Sequence, residues 1–268
     1  MKVQRKMLTA LLKATSRMQH VNGKAQAQVE SCILRWRDDS VSTTSLVKDG
    51  KTSISHFSFK TEEASGDDMD IPVPDIERML GVLKYHGDMV SLKDKNGKVV
   101  VLSKNKQTTV VGGYDAKAFS TSRQNLQEWG EQSLILAERV QGNVYHLLDD
   151  TTRAPFFTAK IAADTLHDAL RCDGMNGQKL NRYTFKHNGD QLSVTVGDHF
   201  KGQTETIVAQ GYTGEAFEAA FEGGLENIVD HYSGDVEVSF LDFRPEGQGI
   251  RLILRFDNGD WVFQAGVL

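Results

Sequence analysis

The sequence contains few of the features by which many classes of protein are recognised. Cysteine occurs only at positions 32 and 172, which is too sparse for a disulfide framework and is typical of a reducing cytosol. No apolar run approaches the length of a membrane span, and the basic start of the chain leads into an amphipathic segment, not a hydrophobic signal. We therefore expect a cytoplasmic protein, or a nuclear one if the source is eukaryotic.

Motifs of enzyme active sites are also missing. Gly50–Thr52 is similar to the end of a phosphate-binding loop, but Ser45 stands where that motif requires a glycine. Neither a Gly-x-Ser-x-Gly elbow nor a His-Glu-x-x-His helix occurs. His167 and Asp168 are neighbours on a predicted helix, so their side chains point in different directions and make a poor catalytic pair. The sequence predicts no enzyme, no cofactor and no metal ion.

Composition places the chain among soluble globular proteins. Its 268 residues, 25% charged and 39% hydrophobic, suit one large domain or two ordinary ones. The formal net charge of −5 argues against a simple basic nucleic-acid binder. It leaves room for a local basic surface, because charge is distributed unevenly over many proteins.

One unit, a short helix followed by an antiparallel hairpin, is predicted twice. In the first copy, apolar residues recur at helical spacing over Ile76–Leu83, and Asn96-Gly97 provides the hairpin turn. The second copy lies at 221–254, where Gly234–Ser239 restates Gly87–Ser91 with one residue inserted. Internal repetition of this kind predicts a duplicated architecture.

Both halves read as helix, strands, helix, strands, which predicts an α+β fold with helices on one face of antiparallel sheets. The segment between the halves is polar, has no hairpin signal and contains a possible amphipathic helix over about 124–140. The predicted boundaries are 1–113 for the first domain, 114–154 for an interdomain connector and 155–268 for the second domain.

The first predicted helix, 2–18, has one face that carries bases and no acid. A turn of about 100° per residue gathers apolar side chains, Met7 among them, on one side. The basic side consists of Lys2, Lys6, Lys13 and Arg17, with Arg5 at its boundary. This side is either the solvated face of a packed helix or a surface for a polyanion. A solvated face usually mixes charges of both signs, which favours the second interpretation.

Several stretches resemble the sliding clamps of DNA replication, which include proliferating cell nuclear antigen and the clamps of T-even-type phages. Arg5–Leu11 is similar to the first clamp helix, and Met69–Lys84 to the strand and helix that close the first domain. Asn96–Val101 with Gln107–Val111 resembles the phage edge hairpin, and Ala159–Arg171 the opening of the second domain. The order of elements carries the resemblance, which covers nearly all of the chain except the connector.

The resemblance implies the DNA-clamp fold, with sheets outside and helices on the inner face. It implies a homotrimeric, head-to-tail ring around double-stranded DNA that tethers DNA polymerase and is placed by a clamp loader. Such a ring has no catalytic activity and reads no bases. The similarity to phage clamps favours a viral protein in the host cytoplasm.

In this family, basic residues on the inner helices line the central hole of the ring. The positions that match them here are Arg5, Lys6, Lys84 and Arg171, with Arg78 close to Lys84. The expected DNA-contacting residues are therefore Lys2, Arg5, Lys6, Lys13, Arg17, Arg78, Lys84 and Arg171. The fourth helix departs from the family because Glu226 and Asp230 are acidic. We therefore expect the first domain to make most of the DNA contacts.

The resemblance also implies two protein-binding sites. A pocket for partner peptides is expected at Leu46, Val47, Tyr114, Phe119, Val267 and Leu268, although these residues equally fit ordinary core and strand ends. The subunit interface is expected to pair an edge at Thr108, Thr109, Val110 and Val111 with an edge at Phe200 and Thr204, because exposed edge strands invite pairing.

Two other functions remain open from the sequence. A monomeric processivity subunit of the same fold would hold DNA by charge alone. A duplicated β-rich virion or scaffold protein would bind other proteins and not DNA.

Overall fold

The computed structural model describes residues 1–21, 24–47, 53–61, 68–95, 98–110, 116–171, 182–198 and 202–267. Strands dominate, and five α-helices occur among these residues. None of the helices in these ranges is both long enough and apolar enough to cross a bilayer.

The first half alternates helices and strands in the predicted order. Its elements are β1 Lys2–Gln4, α1 Arg5–Ser16, β2 Met18–Val21, β3 Lys24–Ala27, β4 Cys32–Arg37, β5 Ser40–Val47, β6 Ser53–Lys60, β7 Met69–Val73, α2 Ile76–Leu83, β8 Met89–Lys95, β9 Lys98–Ser103 and β10 Lys106–Val110. The predicted helix 2–18 is shorter than expected, because Lys2–Gln4 pairs with β8 as a strand.

The second half begins after a long helix and three very short strands. These are α3 Ala116–Ala137, β11 Val140–Gln141, β12 Val144–His146 and β13 Thr152–Arg153. The elements that follow are β14 Phe157–Ala162, α4 Ala163–Arg171, β15 Arg182–His187, β16 Gln191–Asp198, β17 Gly202–Gln210, β18 Phe217–Glu222, α5 Leu225–Val229, β19 Asp235–Asp242, β20 Ile250–Phe256 and β21 Trp261–Ala265.

Sheet topology confirms the duplication. Strand order β1-β8-β9-β10 in the first half is matched by β14-β19-β20-β21 in the second. Likewise β6-β5-β4-β7 is matched by β17-β16-β15-β18. Each half therefore contributes two matching runs of four strands, two of which belong to one eight-stranded sheet, and the matching helices are α1 with α2 and α4 with α5. The predicted α+β class is confirmed.

The described chain divides into two compact units whose boundaries differ from the predicted domains. The first unit comprises 1–16, 29–46 and 55–136, and the second 17–28, 47–54 and 137–268. Helix α3, predicted in the connector, belongs to the first unit, while the hairpin β2–β3 belongs to the second. Contacts made after folding decide this grouping, and sequence order does not reveal them.

Helices α1 and α2 of the first unit each bury one apolar face. Leu8 and Leu12 of α1 and Ile76 and Met79 of α2 have no accessible surface. Met7, predicted on the apolar side of α1, is instead 38% exposed. The Asp75 side chain caps α2 by accepting a hydrogen bond from the Arg78 amide at 2.8 Å.

Helix α3 packs on strand β4 within the first unit. A side chain at Gly130 would place its Cβ 2.6 Å from Ile33 Cδ1, so only glycine permits this approach without a shift of Ile33. Arg35 Nη2 donates to the Gly130 carbonyl at 3.4 Å on the same strand. The backbone of the long helix thus approaches β4 closely at Gly130.

An aromatic cluster forms the core of the second unit. Phe240 lies at its centre, with ring centroids 4.6 Å from Phe217 and 5.5 Å from Phe185. Phe157 and Phe221 complete the cluster at 6.1 and 6.2 Å from Phe240. Edge-to-face and tilted contacts of this kind add to the stabilisation from burial.

We expect Phe240→Ala to lower the free energy of unfolding of the second unit by about 3–5 kcal/mol, because it leaves a cavity among the rings. Urea denaturation followed by circular dichroism measures the change. Leu148→Ala is the control, since Leu148 is 83% exposed and its loss should cost no more than about 0.5 kcal/mol. Equal effects of the two variants would show that the cluster is not the core.

Candidate nucleic-acid interface

Helix α1 presents a basic face to solvent. Lys6 and Lys13 are exposed and lie two turns apart, so they share one side of the helix. Leu8, Leu11 and Leu12 are buried on the other side. No acid occurs between Arg5 and Ser16. An exposed helix face with a single sign of charge is suited to binding a polyanion.

Helix α2 packs beside α1 and adds two exposed bases, Arg78 and Lys84. Exposed Glu77 offsets part of that charge. Arg5, at the start of α1, is half-buried and lies 3.5 Å from an Asp88 carboxylate oxygen, so its charge is partly compensated. Lys6, Lys13, Arg78 and Lys84 are therefore the predicted DNA-contacting bases that are exposed on or directly after α1 and α2.

Two predicted DNA-contacting residues lie elsewhere. Arg17 follows the end of α1, adopts a left-handed backbone with φ of 45° and is only 1% exposed. Its guanidinium donates to Ser53 Oγ and, at 3.3 Å, to Gln264 Oε1. The prediction is wrong for Arg17, because its side chain is enclosed in the second unit. Lys2 is exposed, but on strand β1 and not on the helix.

The helices of the second unit carry acids where the first unit carries bases. Gln4 pairs with Met89 just before α1, and Ala162 pairs with Asp235 just before α4. Gln4 and Ala162 are therefore equivalent positions of the duplicated fold. Lys6 and Asp164 each lie two residues further on, and Lys13 and Arg171 each lie nine residues further on, so these are equivalent pairs. The equivalence of Lys13 and Arg171 agrees with the predicted basic position on α4, where Arg171 is exposed.

Further acids lie on and beside α4 and α5. Asp164 and Asp168 are exposed on α4. Asp230, at the end of α5, lies 3.5 Å from His167 Nε2. Glu226 accepts a hydrogen bond from the Tyr183 hydroxyl. Acidic residues were predicted in place of the family's bases at α5, and α4 carries them as well. Arg171 is the predicted DNA-contacting base that remains on these two helices.

The predicted subunit-interface residues that the structure describes lie on terminal strands of sheets. Thr108, Thr109 and Val110 are in β10, and Thr204 is in β17. Among the described residues, β10 and β17 are each an edge strand of a four-stranded sheet. Val111 and Phe200 lie outside the described residues.

Buried His86 ties the end of α2 to strand β10. Its Nδ1 lies 2.8 Å from Ser103 Oγ and its Nε2 lies 3.0 Å from Thr108 Oγ1. Burial lowers the pKa of His86, and the nearby Lys106 charge lowers that pKa further. The turn after α2 is therefore attached to the terminal strand through a neutral imidazole.

The predicted peptide pocket is only partly described. Val47 is buried, and Leu46 is half-buried beside it at the end of β5. Val267 is half-buried, and its amide donates to the Ala220 carbonyl at 2.7 Å. Tyr114, Leu268 and the side chain of Phe119 lie outside the part of the chain that the structure describes. The pocket therefore stays a prediction.

Sequence reasoning missed an aromatic contact made by the short strands after α3. The Tyr145 ring on β12 stacks on Phe263 with centroids 4.8 Å apart and meets the edge of Phe243 at 5.7 Å. Strands of two or three residues are too short to show a period of two. The available signal was Tyr145 beside the apolar residues Val144, Leu147 and Leu148.

Two findings in the described residues concern metal binding and thiol chemistry. They contain no group of three or more His, Cys, Asp and Glu side chains arranged to hold a metal ion. Burial raises the pKa of the Cys32 thiol to about 12, so that thiol stays protonated and is a poor nucleophile.

Solved structures of bacterial sliding clamps are similar to the whole chain. The DNA polymerase III beta chain of Streptococcus pneumoniae aligns with 100% of this chain and 64% of its own length, at 12% identity and a TM-score of 0.63. The sliding clamp of Pseudomonas aeruginosa aligns with 100% of this chain and 66% of its own, at 11% identity and a TM-score of 0.60. That of Bacillus subtilis aligns with 100% and 63%, at 10% identity and a TM-score of 0.63.

These similarities establish the fold. The chain spans 63–66% of the length of the three clamps, and the sequence identities are only 10–12%. No family model matches the sequence, and no curated protein does. The expected clamp fold is confirmed.

Acid should destabilise the folded chain partly through His86. Because its pKa is lower when folded than when unfolded, its contribution is complete above about pH 6.5 and is lost as the pH falls below that value. We expect the free energy of unfolding to fall less between about pH 7.5 and pH 5.5 in His86→Gln than in the wild type. Urea titrations at both pH values test this, and identical pH dependence in the two proteins would contradict it.

Proposed function

We propose that this chain, which has the fold of the sliding clamps, is a DNA polymerase processivity clamp. Three copies close head to tail into a ring around duplex DNA and tether the polymerase. The observation that carries the proposal is the duplicated topology, which ends in two terminal strands suited to joining copies.

A joint of the required kind is already present inside the second unit. Ser53 at the start of β6 donates from its Oγ to the Phe263 carbonyl of β21 at 2.9 Å. By the duplication, β10 corresponds to β21 and β17 corresponds to β6. The same joint repeated between copies would therefore pair β10 of one copy with β17 of the next.

Such a contact is heterologous, because the two surfaces that meet are different. Heterologous contacts generate closed rings where the rotation between copies allows closure. Three copies with two repeats each give six repeats in the ring, as the resemblance to two-domain clamps implies. Ring closure explains how terminal strands, which are a hazard for uncontrolled pairing, are put to use.

The basic face of α1 is suited to the DNA inside such a ring. Lysines that contact phosphates attract DNA of any sequence and do not read bases. Asp164 and Asp168 on α4 would repel phosphates, so we place most DNA contact on α1 and α2. A clamp that holds DNA topologically needs only this modest attraction, whereas a monomer that held DNA by charge alone would need a larger basic surface.

We expect Lys6→Glu/Lys13→Glu to weaken sequence-independent DNA binding and shorten processive synthesis without unfolding the protein. Loss of two phosphate contacts should reduce the slope of log K against log salt by about 2. Binding to a labelled duplex at several salt concentrations measures the slope. Lys93→Glu/Lys98→Glu is the charge-matched control, since these exposed lysines lie on β8 and β9. Equal losses in both variants would refute the assignment of DNA contact to α1.

The closed ring predicts different behaviour on circular and linear DNA. Once loaded on nicked circular DNA, the protein should resist high salt, because topology and not charge retains it. Linearising the DNA should release it. Gel filtration of the loaded DNA before and after cutting measures retention. Equal retention on both forms, or a stable monomer at micromolar concentration, would refute the ring.

A further inference from the structure

An exposed tyrosine lies where α2 ends beside the hairpin β9–β10. Tyr85 is 73% exposed, and its backbone is fixed on both sides. Its amide donates to the Val82 carbonyl at 3.0 Å, and its carbonyl accepts a hydrogen bond from Lys106 Nζ at 3.1 Å. The Lys106 ammonium group also lies 5.4 Å from the centre of the Tyr85 ring. A large aromatic ring is therefore presented to solvent with a cation beside it.

The residues that follow Tyr85 attach it to the same hairpin. The buried His86 ring has Nδ1 2.8 Å from Ser103 Oγ and Nε2 3.0 Å from Thr108 Oγ1. The Gly87 amide donates to Ser103 Oγ at 3.4 Å. A backbone that is already ordered lowers the entropy cost of holding a side chain against a ligand. The Tyr85 ring is thus pre-organised for a stacking contact.

Positive charge surrounds the tyrosine. Lys84 precedes it in the chain and is exposed, and Lys106 is exposed on the hairpin. Asp88 is the acid closest in sequence, and it lies 3.5 Å from the Arg5 guanidinium, which compensates part of its charge. We call Lys84, Tyr85 and Lys106 the Tyr85 site. It combines an aromatic ring with two cations, which suits a ligand that has both flat rings and phosphates.

The duplicated fold does not require this combination. Met89 and Asp235 are equivalent strand positions, and the strand pairs of the two following hairpins extend the equivalence. In the second unit, the residues equivalent to Lys84, Tyr85 and Lys106 are Asp230, His231 and Asp260. An acid stands at both lysine positions, and Asp260 is buried, where it accepts a hydrogen bond from Tyr232. The Tyr85 site therefore belongs to the first unit alone.

We propose that the Tyr85 site binds single-stranded DNA, with one base stacked on the Tyr85 ring and the flanking phosphates on Lys84 and Lys106. Bases within a duplex are stacked on each other and present only their edges in the grooves, whereas an unpaired base exposes its flat face. Stacking on an aromatic ring beside lysines binds single strands of any sequence. This inference goes beyond the proposed clamp, which concerns duplex DNA, and it does not depend on a ring.

Binding of the full chain to a labelled oligothymidylate, followed by fluorescence anisotropy, tests the site. Tyr85→Ala should raise the dissociation constant about tenfold, because a stacked base is lost, whereas Tyr85→Phe keeps the ring and should bind like the wild type. Lys84→Gln and Lys106→Gln should each reduce the slope of log K against log salt by about 0.7, the value for one phosphate contact with a single strand. Trp129→Ala is the control, since it removes another exposed aromatic ring, on α3.

The outcomes separate this inference from the clamp. Equal affinity of the wild type and Tyr85→Ala for the oligothymidylate would overturn the site, whatever the protein does on duplex DNA. A Tyr85→Ala variant that binds the oligothymidylate normally but changes the self-association of the chain in sedimentation would assign the ring to a contact between copies, which also overturns the site. Tenfold weaker binding by Tyr85→Ala in a protein that is not retained on circular DNA would refute the ring and support the site.

Discussion

The backbone hydrogen-bonding groups along terminal strands are the constraint on which this structure depends. A strand at the end of a sheet directs amides and carbonyls away from its own sheet, where they need a partner or water. Within the described residues, β21 is bordered by Ser53 of β6, while β10 and β17 remain terminal. The contact at β21 is a hydrogen bond from Ser53 Oγ to the Phe263 carbonyl.

Segregation of charge explains how an acidic protein can offer a basic surface. The net charge is −5, yet α1 carries three bases and no acid. Exposed charges contribute little to folding, so they can be exchanged between equivalent positions such as Lys6 and Asp164 without loss of the fold. The two copies of the module therefore share a core pattern but not an electrostatic role.

Local signals made much of the fold predictable. The period of Ile76–Leu83 and the Asn96-Gly97 turn signal act over a few residues, and they predicted α2 and its hairpin. Arg17 shows the limit of such signals. A helical period assumes that the helix continues, whereas α1 ends at Ser16 and the next residue turns inward with φ of 45°. The short strands β11–β13 were missed because they contain too few residues to show a period.

The sequence by itself determined the α+β class, the duplicated order of elements and the basic face of α1, because each depends on spacing along one segment. Tertiary structure decided the rest. It enclosed Arg17 beside Ser53 and Gln264, placed α3 on β4 through Gly130, and made β10 and β17 terminal strands. These features depend on contacts between residues far apart in the chain, which only packing and strand pairing bring together.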